Sequence, residues 1–134
     1  MKMRRPHRRL LSKQVCAILK HSNKFTGTGQ LVLPSVRSVS RPLSDNTFNA
    51  ALCRMGYTTD EATAHGFRAT ASTILNESGK WHQDAIERQL AHIEGSDVRR
   101  AYARGEHWDE RVKMMQWWAN ELDRLRLPNE GIFG

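Results

Sequence analysis

The sequence has 134 residues, of which 39% are hydrophobic and 26% charged. That length and balance fit one domain with its own hydrophobic core, and exclude a disordered tail or a disulfide-dependent miniprotein. Lys plus Arg number 21 against 14 Asp plus Glu, a formal charge of +7, and a surplus of that size favours a polyanionic partner.

No apolar run approaches the roughly 18 residues that a bilayer crossing needs, and no apolar stretch follows the basic Met1–Arg9 as a secretory signal would require. No membrane association is therefore expected. Cys16 and Cys53 stand far apart, outside any CxxC pattern, and read as reduced core thiols of a cytosolic protein.

Five of the first nine residues are basic: Lys2, Arg4, Arg5, Arg8 and Arg9. Such a block meets phosphates more often than a protein core. Residues 1–11 read as an extended arm or half of a hairpin. Ser12 reads as the N-cap of a helix over about 13–21, with Val15, Ile18 and Leu19 on one face. The Gly, Thr and Asn content of 23–30 predicts a loop, 31–34 a short buried strand or turn, and 36–42 a connection. Ser44 then caps a helix over about 45–55, closed by Gly56, with Phe48, Leu52 and Met55 as its apolar stripe.

A helix over 65–78 follows, with Phe67, Ala71, Ile74 and Leu75 inward and Gly79 as its stop. A break at Trp81–His82 leads to a short helix over 84–91. Ser96 caps another over about 97–104. Asp109 opens the last, over 110–125, carrying Val112, Met115, Trp118, Leu122 and Leu125. The fold class is thus mainly α, with at most a small β-hairpin or sheet near the N-terminus, and a loose tail over 127–134.

The histidines at 65, 82, 92 and 107 are spread out, with no HExxH and no His–Cys cluster, so no metal site is expected. No Walker-type loop and no GxGxxG occurs, and no cofactor is expected. His65 and Arg68 stand three apart at a helix start, on one face. Read structurally, they are a helix-start residue and a surface charge. Read as a site, they are two donors aimed at a phosphate: a planar guanidinium fork and an imidazole able to move a proton near neutral pH.

His92 reads structurally as a cap on helix carbonyls. Tyr102 sits among Arg99, Arg100 and Arg104, a surround that favours its phenolate, or else is a partly buried aromatic. Together, a phenol, two imidazoles, a guanidinium and Lys2 supply what a metal-free phosphodiester transesterification requires.

The stretches HGFRATASTILNES (65–78), AIERQLAH (85–92), VRRAYAR (98–104) and DERVKMMQWWANELDRL (109–125) resemble the C-terminal catalytic domain of tyrosine recombinases. More closely, they resemble the integrase branch of prophages and genomic islands, and RPLSDNTFNAALCRMGY (41–57) is similar to the same branch. The resemblance covers nearly the whole chain.

It implies DNA integration by strand cleavage and rejoining, without a cofactor. Tyr102 would be the nucleophile that forms a 3′-phosphotyrosyl bond. Arg68 would be the second phosphate-clamping arginine, His65 would assist proton transfer, and His92 would donate to a non-bridging oxygen. Lys2 would match the hairpin lysine that protonates the leaving 5′ oxygen. Arg4, Arg5, Arg8, Arg9, Arg99 and Arg100 would contact double-stranded DNA. The last helix, with Met114, Met115, Trp117 and Trp118 adjacent, reads either as core packing on one side or, as the resemblance implies, as a face that docks on another integrase subunit.

The family carries a further arginine in a TGxRxxE-type motif, and no such motif occurs here; Thr26-Gly27 continues as Thr28-Gly29-Gln30. Ala103 and Gly105 also replace the usual Asn and Ala. Residues 1–126 are therefore expected to form a truncated catalytic domain that begins inside the hairpin and lacks the N-terminal DNA-binding domains. Its activity would be impaired, and its location cytoplasmic and nucleoid-associated. A non-catalytic DNA-binding or integrase-interacting module, or a decayed gene product, remains an alternative.

Overall fold

The computed structural model describes residues 8–91 and 107–126. Among them are five helices and one two-stranded antiparallel sheet, the mainly α architecture that the sequence predicts. The predicted helix over 97–104, the arm up to residue 7 and the tail over 127–134 lie outside the described residues. The chain divides into two compact units: Lys13–Thr70, and Met1–Ser12 together with Ala71–Gly134.

In the Lys13–Thr70 unit, α1 spans Lys13–Thr26, a turn longer than predicted. Residues 23–26 look loop-forming, yet the Phe25 ring packs edge-on against His21 one turn earlier, with centroids 5.6 Å apart. Thr26 Oγ1 also donates to Ser22 O at 3.2 Å. The helix ends where Gly27 N donates to Asn23 O.

The sheet pairs β1, Pro34–Ser35, with β2, Ser38–Pro42. The second strand falls where a connection is predicted, because it is exposed along nearly its whole length and carries no apolar alternation to betray it. The single hydroxyl hydrogen of Thr26 is shared between Ser22 O and Val32 O, tying the end of α1 to the approach of this sheet.

Helix α2 spans Thr47–Arg54 and begins later than predicted. Ser44 is spent on a turn instead: its carbonyl accepts from Thr47 N, and its hydroxyl bonds Thr47 Oγ1 at 2.8 Å. The N-cap position falls to Asn46, whose side chain makes no cap bond. Of the predicted stripe only Leu52 is buried; Phe48 and Met55 are exposed. Gly56 closes the helix at φ +96°, a left-handed conformation that costs glycine nothing. The expectation of core thiols fails: Cys53 is exposed and Cys16 half-buried.

Helix α3, Ala64–Glu77, runs from this unit into the other. Phe67, predicted inward, is exposed, whereas Leu75 is 1% exposed.

In the other unit, α4 spans Gln83–Leu90 and α5 spans Trp108–Arg126. Leu75, Ile86 and Met114 form the core, with Trp81, Leu90, Met115, Trp117 and Trp118 packed around it. The indole N–H of Trp81 is buried and meets no acceptor among the described residues. Of the predicted α5 stripe, Met115 and Trp118 pack on the core, but the fully buried positions lie beside it. Arg111, Met114 and Ala119 face inward, and Val112, Leu122 and Leu125 are exposed.

Arg111 is among the buried residues, with its guanidinium inside. Its Nε and Nη2 donate to Gln89 Oε1 at 3.0 and 2.9 Å, and Nη2 also donates to the carbonyl of Arg8 at 2.6 Å. Gln89 Nε2 in turn donates to the Leu10 carbonyl. Residues 8–11, part of the stretch read as an extended arm or half of a hairpin, have no strand character in the structure, and they are held to α4 and α5 by these bonds.

Candidate active site

His65 and Arg68 stand one turn apart at the start of α3, His65 exposed and Arg68 half-buried. Two side chains fix that start. Asn49 Oδ1, from α2, accepts from Ala64 N at 2.9 Å. Thr63 Oγ1 accepts from Gly66 N at 2.9 Å, as an N-capping hydroxyl does. A Cβ at Gly66 would stand 3.0 Å from that hydroxyl, which would have to give by a few tenths of an ångström.

Because Ala64 and Gly66 already give their amides to the protein, an anion here would be met chiefly by the side chains at 65 and 68. The helix dipole would add its favourable field. Upstream, Thr58 and Glu61 close a turn: Glu61 Oε2 accepts from Thr58 N at 2.8 Å and from Thr58 Oγ1 at 3.1 Å. These bonds, the backbone one first, hold the Glu61 carboxyl below the usual glutamate range.

Arg8 and Arg9, in the other unit, are exposed, as phosphate contacts must be. Lys2, Arg4, Arg5, His92, Arg99, Arg100 and Tyr102 lie outside the described residues. Helix α4 delivers the chain toward His92. It ends on Ala91, which takes a left-handed conformation at φ 53°. His107, which resumes the described chain, is likewise left-handed at φ 45°.

His82, Asp84 and His107 are spread in sequence yet adjacent in space, with ligating atoms within 4.8 Å of one another. Their geometry is that of a structural tie. His82 Nδ1 already accepts from Asp84 N at 3.1 Å, capping α4. The two imidazoles stack at 5.3 Å with 15° between their planes. Lone pairs lying in parallel ring planes do not converge on one ion. Glu110 completes the tie: its carboxylate accepts from His82 N at 2.7 Å and lies 3.4 Å from His107 Nδ1.

Sequence reasoning missed Gln89 and Arg111. Gln89 lies inside the quoted AIERQLAH stretch and Arg111 inside DERVKMM, but an arginine flanked by charges gives no signal that it is interior. Among the described residues no helix is long and apolar enough to cross a membrane.

A family model described as the phage integrase family matches residues 1–107. The chain is 46% identical over 128 residues to an integrase of Enterobacteria phage P4, covering 94% of this chain and 29% of that protein. It is 46% identical over 124 residues to the putative protein IntB of Escherichia coli, covering 91% and 31%. It is 42% identical over 120 residues to the prophage integrase IntA of the same species, covering 90% and 29%. The chain thus spans about three tenths of the length of these relatives. No solved structure matches it. With the family model matched over most of its residues and integrase relatives aligned nearly end to end, the chain belongs to the phage integrase family.

Proposed function

We propose that this chain supplies the later part of a tyrosine-recombinase catalytic centre acting on double-stranded DNA. The observation that carries the reading is the alignment of nine tenths or more of the chain with integrases. The capped α3 start, which holds His65 and Arg68 one turn apart, is consistent with it.

In the reaction, the Tyr102 phenolate attacks the scissile phosphorus. A phosphotyrosyl bond forms, the bond to the 5′ oxygen breaks, and Lys2 gives that oxygen a proton. Arg68 and His92 hold the non-bridging oxygens, and His65 assists proton transfer. Rejoining runs the same steps backward with a new 5′ hydroxyl. Arg8 and Arg9 contact backbone phosphates, as do Arg4, Arg5, Arg99 and Arg100.

These 134 residues hold no TGxRxxE-type arginine. One phosphate donor fewer removes about 3–4 kcal/mol of transition-state stabilisation, or roughly a 100- to 1,000-fold loss of rate. The chain alone is therefore a weak recombinase. The second reading, a DNA-binding or integrase-docking module without chemistry, is favoured by the exposed Val112, Leu122 and Leu125 of α5, an apolar edge suited to another integrase subunit.

The test is a nicked suicide DNA duplex incubated with the chain, alone and with a full-length relative carrying its own nucleophile substituted. A covalent adduct that disappears in Tyr102→Phe supports the catalytic reading. No adduct in either mixture, with DNA still bound, supports the second.

A further inference from the structure

Arg111 is the largest fully buried side chain among the described residues, at 1% exposure, and Gln89 beside it is 6% exposed. Burying a guanidinium strips it of water at a large cost, and apolar replacements of similar volume are often no less stable. The network is therefore better explained by what it holds than by the stability it adds. It holds backbone: the carbonyl of Arg8 through Arg111 Nη2, and the carbonyl of Leu10 through Gln89 Nε2. Two carbonyls on either side of residue 9 are gripped from the interior, while the side chains of Arg8 and Arg9 remain exposed.

We propose that Gln89 and Arg111 are positioning residues for DNA binding, which pin the root of the basic arm so that Arg8 and Arg9 meet the phosphate backbone as a fixed pair. Neither touches DNA itself. Arg111 spends its charge on protein acceptors, and its effect on the ligand passes through the arm. The geometry also links three parts of the chain. The arm root follows Lys2 by a few residues, Gln89 precedes His92 by three, and Arg111 opens the helix that follows the Tyr102 segment. The inference rests on the DNA-acting reading for its ligand, but not for the pinning.

Gln89→Glu separates placement from folding. The carboxylate keeps an acceptor for Arg111, so the buried charge stays partnered. It has no donor for the Leu10 carbonyl and repels it instead. The measurements are trypsin cleavage after Arg8 and Arg9, and filter binding of a random-sequence 30-base-pair duplex across a salt series. Both use the full chain, with far-UV circular dichroism as the folding control.

With helicity unchanged, Gln89→Glu is expected to raise cleavage at Arg8 and Arg9 about tenfold, as local opening exposes them. It should also flatten the salt dependence by roughly two phosphate contacts. In an Arg8→Gln/Arg9→Gln background the same substitution should leave DNA affinity unchanged, whereas a general loosening or the added charge alone would lower it there too. Arg111→Lys, able to reach one carbonyl but not to fork, should fall between.

Unchanged cleavage in Gln89→Glu, or an equal loss of affinity in both backgrounds, overturns the proposal. Failure of the DNA-acting reading looks different: the wild-type chain would bind no duplex at low salt, while the cleavage comparison still decides the pinning.

Discussion

Gln89 and Arg111, on different helices, meet through a single oxygen: Gln89 Oε1 accepts from both Nε and Nη2 of the buried guanidinium. Removing one side takes a buried hydrogen-bond partner from the other. Arg111→Ala is expected to lower unfolding free energy by about 3 kcal/mol, through stranded polar groups and lost packing. The double substitution Gln89→Leu/Arg111→Met, which removes both partners at similar volume, should cost less than Arg111→Ala alone. Urea unfolding of the three proteins checks the order; a double variant less stable than the single one would contradict it.

The start of α3 offers a cheaper break. Thr63→Ala deletes the hydroxyl that accepts from Gly66 N, and should cost about 1 kcal/mol. Its local effect is larger than that figure suggests, because the turn that frays carries His65. Amide exchange at Gly66 should accelerate in Thr63→Ala, while amides in α5 keep their wild-type rates.

Ala91 ends α4 with a left-handed backbone, which costs an L-residue with a Cβ about 1–2 kcal/mol and glycine almost nothing. Ala91→Gly should therefore stabilise the chain by up to about 1 kcal/mol, after the loss to greater freedom of the unfolded state. The same substitution one residue earlier, Leu90→Gly, should destabilise it, since Leu90 is helical and packs on the core. Thermal melts of the two variants should move in opposite directions.

Acid should act on the turn before α3. The folded-state pKa of Glu61 is lowered, first by its bond to Thr58 N. The stabilisation is therefore complete above the ordinary glutamate range and is lost as pH falls through the lowered folded value. The Thr58 amide resonance should titrate with a midpoint below that of a free glutamate. Glu61→Gln should abolish the titration, and a midpoint at or above the free value would contradict the assignment.

The helices were legible because their signals are local. Gly56 and Gly79 mark two ends correctly, both with positive φ, and Leu75 is as buried as its spacing implies. What failed was local in form but tertiary in cause. Phe67 fits an apolar stripe by spacing, yet it is exposed. Val112 fits the interior stripe by spacing, yet it is exposed while the neighbouring Arg111 is buried, because a guanidinium with carbonyl and amide acceptors from other segments can be buried where periodicity counts only a charge.

The candidate site was legible at His65 and Arg68 as a pair on one turn. Their support by Asn49, fifteen residues before the amide it caps, was not, because no sequence spacing encodes a contact between helices. The pairing of His82 with His107 escaped notice for the same reason.

All four tryptophans, at 81, 108, 117 and 118, fall in the unit that contains α4 and α5. Trp81 and Trp117 stand edge to face at 6.1 Å, and Lys80 lies over the second ring. Indole emission from this chain is therefore a partisan witness: it follows one half of the molecule and is blind to the half carrying His65 and Arg68. Ellipticity listens to both. Where the two optical transitions part company on heating, the gap between them times the separate release of the two halves, with no label attached.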